Sequence, residues 1–174
     1  ALTTTTGDIG VINKGQNRLA ILENANIKSA GKLKIANDTL GTDGLAIDNG
    51  AIVESKDNLG IYNKKDLLVI NGEVKNTGSG FLFVKGYNTS KGVEIGTTGK
   101  LNTADGHLAV RNEGSRTDGN GVEKGLVIAG NVVNGTETGG QLAINNYKGN
   151  TDITGTVSMG DVEGDTLAII NRNG

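Results

Sequence analysis

Gly44-Leu45-Ala46-Ile47-Asp48-Asn49-Gly50 contains the pattern on which the fold turns: an aliphatic-any-aliphatic triplet bounded by turn-forming residues. The triplet returns as Leu19-Ala20-Ile21, Leu108-Ala109-Val110, Leu142-Ala143-Ile144 and Leu167-Ala168-Ile169. Taken as one series the spacings are irregular, but they sort into three interleaved series. Series A starts at Ile9, Leu33, Leu59, Leu82, Leu108, Leu142 and Leu167, in steps of 24, 26, 23, 26, 34 and 25 residues. Series B starts at Leu19, Leu45, Leu68, Val93, Leu126 and Ile153, in steps of 26, 23, 25, 33 and 27. A fainter series C falls at Ile27, Ile52, Val74, Leu101, Val133 and Val157. From each B start to the next A start the interval is 14, 14, 14, 15, 16 and 14 residues, the mark of a repeated unit.

Alternate residues of a strand face opposite sides, so the first and third members of a triplet point the same way. In series A those pairs are aliphatic throughout, from Ile9/Val11 to Leu167/Ile169. A helix would need apolar residues at a 3.6 period, which the triplets do not offer. A unit this short cannot bury its own apolar face, so units must stack on one another. The expected fold is all-β, a right-handed parallel β-helix (three-sided β-solenoid). It has about six to seven rungs of ~25 residues in a single domain over residues 1–174. The long steps of series A and B fall in the same rung, which places one inserted loop at Glu113–Lys124. Four residues after each A start stand Asn13, Asn37, Asn63, Gly86, Asn112, Asn146 and Asn171. Asn and Gly enter the left-handed backbone region most readily, and stacked Asn amides can bond along the axis. These Asn residues are therefore expected to be structural corners.

Composition narrows the function. Of 174 residues, 29 are Gly and none is Cys, Pro or Trp. Glycine disfavours helix interiors, and no apolar run approaches the ~18 residues of a membrane span. The absence of Cys rules out disulfides and thiolate metal sites, and the single His107 rules out a His-based zinc site. A net charge of −2 supplies no basic field for nucleic acid. No nucleic acid, membrane insertion, metal or cofactor is therefore expected. Outward positions of series A hold no neighbouring pair of acids for glycoside hydrolysis and no aromatic cleft for stacking a sugar. On series B, Glu94 and Asp152 are separated by the Leu126 rung, so no catalytic residue is expected. His107 points outward and reads as a surface residue. The Asp-Gly turns at 41–44, 104–106 and 117–121 lack the calcium-repeat pattern and read as ordinary turns. Outward Thr residues are too scattered for an ice-binding array. Asn37, Asn88 and Asn134 open acceptor tripeptides for N-glycosylation.

The rungs resemble the filamentous haemagglutinin-like β-helix of bacterial two-partner-secretion adhesins. The resemblance is carried by Gly44-Leu45-Ala46-Ile47-Asp48-Asn49-Gly50, by the Leu-Ala-Ile/Val triplets at 108, 142 and 167, and by the Asn corners. It implies an extracellular location at the bacterial surface and a part in attachment, aggregation or biofilm formation. It also implies glycosylation on Asn in some members. The family's amino-terminal secretion motifs are not recognisable, so the expected place is within the repetitive shaft of a longer chain. No amphipathic helix caps either end, so the ends are expected to meet adjacent rungs or copies of the chain itself. The expected function is a structural and adhesive shaft segment. The alternatives are a self-assembling extracellular filament subunit that stacks end to end, and a carbohydrate-active enzyme on the same fold. The partner would be a host or bacterial surface ligand, contacted first through Arg116 and Asp118 of the polar, Gly-rich 113–124 loop.

Overall fold

Stacking the repeat produces three sheets of seven strands each, all parallel except the short Arg116–Thr117 strand at one edge of the B sheet. A computed structural model describes residues 1–135, 140–160 and 163–172, and no helix occurs among them. The A sheet runs in chain order through Ile9–Asn13, Leu33–Asn37, Leu59–Asn63, Phe81–Gly86, His107–Asn112, Gln141–Asn146 and Thr166–Asn171. Every A start pairs with the A start of the next rung, so the aliphatic pairs superpose along the axis. The B sheet stacks Leu19–Ile21, Leu45–Ile47, Asp66–Ile70, Ser90–Ile95, Glu123–Ile128 and Asn150–Ile153. The C sheet stacks Leu2–Thr3, Asn26–Ser29, Ile52–Ser55, Glu73–Asn76, Lys100–Thr103, Asn131–Asn134 and Thr156–Met159. The chain is a three-sided parallel β-solenoid of about six turns.

The core is the space between the three sheets. Leu59/Ile61, Leu82/Val84 and Leu108/Val110 of the A sheet meet Leu68/Ile70, Val93/Ile95 and Leu126/Ile128 of the B sheet there, all essentially without solvent contact. Burying such a side chain contributes roughly 1.5–3 kcal/mol relative to exposure. The last rung shows the dependence on stacking, because its inward Leu167 and Ile169 are 49% and 46% exposed. Three of the expected inward positions move by one or two residues. In series C, Val53 rather than Ile52 aligns with Ile27 and Val74, and Val132 rather than Val133 aligns with Leu101. In series B, Thr151 rather than Ile153 stands below Leu126, and Ile153 takes the third place under Ile128. Each misplacement arose where two adjacent β-branched residues, or a polar first member, hid the period of two.

The corner asparagines bond as a ladder and do not adopt the left-handed conformation. Among the described residues positive φ outside glycine occurs at Asn24 and Asp66, so the corner Asn residues keep ordinary backbone. Their amides run along the axis: Asn13 Nδ2 donates to Asn37 Oδ1 at 2.8 Å, and Asn37 Nδ2 to Asn63 Oδ1 at 2.9 Å. Past Gly86 the ladder resumes, with Asn112 Nδ2 donating to Asn146 Oδ1 at 2.6 Å and Asn146 Nδ2 to Asn171 Oδ1 at 3.2 Å. The same amides also tie down the turn that follows, through the carbonyls of Asp43, Asp66, Gly114 and Gly149. A second polar ladder lies at the fourth position of the C strands, where Ser29, Ser55, Asn76, Thr103 and Asn134 are buried. Ser55 Oγ donates to the Gly31 carbonyl at 2.6 Å, and Thr103 Oγ1 donates to Asn134 Oδ1. Corners of neighbouring rungs approach too closely for side chains; a Cβ at Gly125 would stand 1.8 Å from the Lys148 carbonyl oxygen.

Two measurements check this architecture. Leu108→Asp places a charge where no solvent reaches and should abolish the cooperative melt, whereas Ala109→Asp, on the outer side, should retain it. Asn63→Ala, which removes a fully buried ladder amide, should cost about 1–3 kcal/mol by denaturant titration. Asn58→Ala loses only the exposed bond from the Phe81 N–H to Asn58 Oδ1 and should cost less than about 1.5 kcal/mol. Equal losses would show that the ladder adds nothing to stability.

Candidate functional site

Outward residues of the A sheet form three columns along the axis. In register, the middle column reads Gly10, Lys34, Gly60, Phe83, Ala109, Ala143 and Ala168. One flank carries Ile12, Ala36, Tyr62, Lys85 and Arg111, and the other carries Phe81 and His107 in register beyond Asn58, Lys32 and Asp8. Small residues in the middle column leave space that large neighbours fill from the side. The Tyr62 ring does so at Gly60, where a Cβ would stand 2.4 Å from Tyr62 Cε2 and 2.6 Å from its Oη. Laid across the strand, Tyr62 meets Phe83 edge-on at 5.9 Å between ring centroids, and Lys34 sits over its ring at 5.6 Å. Phe81 in turn packs against His107 at 4.9 Å. Burial over Gly60, with the Tyr87 phenol nearby, pushes the Tyr62 phenol above its usual range, so it is a neutral hydroxyl donor at physiological pH.

The result is a trough of about 630 Å³ floored by Gly10 and Gly60 and walled by Lys32, Lys34, Tyr62, Phe81 and Phe83. A second concavity of about 430 Å³ shares Lys34 and Tyr62 with it and adds Lys14, Asp38, Lys64 and Tyr87. The expectation that this face holds no aromatic cleft is therefore corrected. Tyr62 and Phe83 belong to different columns, and only the empty Cβ position of Gly60 lets Tyr62 swing into the column of Phe83. In the second concavity Lys64 pairs with Asp38 at 2.7 Å. That hydrogen bond holds the Asp38 carboxyl below its ordinary range and raises the Lys64 ammonium above its own. Among the described residues Lys14, Lys32 and Lys34 make no ion pair.

The 113–124 insertion is a β-hairpin folded back on the B sheet, in which Arg116–Thr117 pairs antiparallel with Glu123–Lys124. Arg116 and Asp118 are brought close to it but are already engaged. Arg116 Nη2 reaches Glu94 Oε2 at 2.8 Å. Asp118 Oδ1 accepts from the N–H groups of Asn120 at 2.9 Å and Val122 at 3.0 Å. Lys124 bridges Asp152 at 3.0 Å and Asp118 at 3.7 Å, crossing the gap that separates the acids of this face. These contacts pin the hairpin against the B sheet and leave Arg116 Nη1 without a hydrogen-bond partner among the described residues. Of the glycosylation candidates, Asn37 and Asn134 are buried with their Nδ2 atoms donating inside the solenoid, which leaves no amide for a sugar in the folded chain. Asn88 is exposed; Thr136, which completes the Asn134 tripeptide, lies outside the described residues. Among the described residues no three His, Asp or Glu side chains gather as a metal site.

No protein-family model, no curated protein and no solved structure matches the chain. Assignment of a role therefore rests on the solenoid and on the chemistry of its outer faces.

Asp118 makes the hairpin pH-dependent. Its carboxyl is held below the ordinary range, first by the Val122 and Asn120 N–H groups and then by Lys124. A depressed folded value means the contribution is complete above the ordinary pKa of about 3.9 and is lost as pH falls through the folded value. Hydrogen-exchange protection at Asn120 and Val122 should thus fall on acidification while that of Leu108 persists. Asp118→Asn should remove the pH dependence. Unchanged protection at both hairpin amides down to pH ~2 would refute the assignment.

Proposed function

We propose that this chain is a segment of the structural and adhesive shaft of a secreted bacterial surface adhesin, working outside the cell and catalysing no reaction. The observation that carries the reading is the unbroken stack of rungs, in which apolar pairs and amide ladders repeat in register along one axis. Such a stack is stiff and extends by about 4.8 Å per rung, so six turns make a rod of about 30 Å. Function in an adhesin of this build is reach plus lateral display. The rod carries its outer faces away from the cell, and substitutions there leave the core untouched. The resemblance of the Leu-Ala-Ile triplets and Asn corners to the filamentous haemagglutinin-like repeat supports the same reading.

A second reading, a filament subunit that stacks end to end, is favoured by one observation. Leu167, Ile169 and Ile153, inward residues by register, are exposed, so this end of the stack accepts a further rung, whether of the same chain or of another copy. Unpaired strand edges beside exposed apolar residues template further pairing.

Electron microscopy and sedimentation of the purified chain separate the two. Short single rods that mediate attachment when coated on beads, across a range of concentrations, support the shaft. Long fibres that disappear in the doubly substituted Leu167→Lys, Ile169→Lys chain support the filament. Rods whose beads attach to neither host cells nor bacteria would contradict the adhesive part of the proposal.

A further inference from the structure

We propose that the trough over Gly10 and Gly60 binds an anionic saccharide. The sugar would pack among the Tyr62, Phe81 and Phe83 side chains, and a carboxylate or sulfate would lie at Lys32 and Lys34. The inference adds a ligand class to the adhesive reading above and rests on it only for its biological setting.

The trough is apolar in its aromatic wall and positive opposite. Lys14, Lys32, Lys34 and Lys64 stand against Asp8 and Asp38 across the two concavities, a local excess of two positive charges on a chain whose net charge is −2. Asp38 is already neutralised by Lys64. Asp8 Oδ1 accepts the Lys32 N–H at 2.7 Å. The three unpaired ammonium groups are thus complementary to an anion; Lys32, which precedes strand Leu33–Asn37, and Lys34 within that strand both line the trough.

Aromatic faces with polar groups at their rim match the alternating C–H faces and hydroxyls of a sugar ring. Tyr62 Oη makes no hydrogen bond to the described residues, and Asn58 uses its Oδ1 on the Phe81 N–H but leaves its amide N–H groups as donors. A peptide fits this face poorly. Strands Leu33–Asn37, Leu59–Asn63 and Phe81–Gly86 are each paired on both sides, so no backbone is left to receive an added strand. The rung spacing of about 4.8 Å is also close to the advance of one pyranose residue, so a linear glycan can lie along the axis in step with the columns.

The test is calorimetric titration of the full chain with three hexasaccharides: hyaluronan, carrying carboxylates; a heparin fragment, carrying sulfates as well; and neutral N-acetylchitohexaose. Binding of at least one anionic hexasaccharide is expected, at least about tenfold tighter than the neutral one, a difference of ~1.4 kcal/mol. The hyaluronan and heparin arms tell carboxylate from sulfate recognition. Tyr62→Ala and Lys34→Glu should each weaken binding by about tenfold or more. Gly60→Ala should do the same without removing any ligand-facing group, because its Cβ displaces the Tyr62 ring. Lys34→Glu, at an exposed side chain, should leave melting unchanged, so its loss of binding is read free of any change in folding, whereas Tyr62→Ala and Gly60→Ala also disturb the packing of the Tyr62 ring. Lys100→Glu, an exposed charge on the C sheet, should change binding by less than about twofold.

No binding of either anionic hexasaccharide at millimolar concentration would overturn the proposal. So would undiminished binding by Tyr62→Ala, a loss in Lys100→Glu equal to that in Lys34→Glu, equal binding of the neutral sugar, or tighter binding of an oligothymidylate. Each of these outcomes leaves rod length and assembly by microscopy unaffected, so failure of the groove is distinguishable from failure of the shaft.

Discussion

A rung of this chain buries its Leu/Ile pairs only because another rung lies on each side of it, and everything else in the molecule is arranged around that dependence. Leu108 and Val110 are shut off from solvent by pairs above and below, and Leu167 and Ile169, with the same chemistry and the same register, are about half exposed. Stability is therefore close to a sum over neighbouring rungs rather than a property of one closed core. This explains how an insertion of hairpin size at 113–124 is accommodated. It leaves between two stacked strands, at a corner, and the A-sheet register from Asn112 to Asn146 passes it undisturbed.

Corners present the opposite problem, because a turning backbone leaves carbonyl and amide groups inside. The solenoid answers with side chains that carry both donor and acceptor. An Asn amide can accept from one rung, donate to the next and still hold the following turn, which is why the same residue type recurs where a Ser or Thr would satisfy fewer partners. At Gly86 the ladder is broken for a steric reason: a Cβ there would lie 2.8 Å from Val93 Cγ2 and 3.0 Å from Ser90 Oγ. The C sheet solves its own corner with a mixed set, from Ser29 to Asn134. Since buried polar groups without partners cost about 1–3 kcal/mol each, these ladders keep the stack in register as well as adding stability.

With the inward face committed to the stack, the outward columns are free to vary, and the A sheet uses them unevenly. Ala109, Ala143 and Ala168 keep the later rungs flat in the middle column. Earlier rungs set glycines beside Tyr62, Phe81 and Phe83, and all the unpaired lysines of the trough come from the strands and turns of those rungs. A rigid scaffold thus holds side chains from four successive rungs at a fixed pitch.

The period, the three faces, the inward A pairs and the parallel stacking were all legible in the linear chain. Each follows from a rule of local geometry: alternate residues of a strand face opposite ways, and short units with one apolar face must stack. The C register was less legible, because Ile52-Val53 and Val132-Val133 offer two apolar neighbours and only pairing across rungs decides which one turns inward. The corner asparagines were legible as corners, but their reason was not: hydrogen bonding between residues 24 to 34 apart in sequence, rather than backbone handedness, selects them. The tertiary structure alone decided that Arg116 pairs with Glu94 while Asp118 closes the hairpin turn, that the Asn37 and Asn134 amides are buried and bonded, and that Tyr62 folds over Gly60. In every such case the outcome depends on space left or filled by a residue of another rung or column, which a one-dimensional pattern of polar and apolar letters does not record.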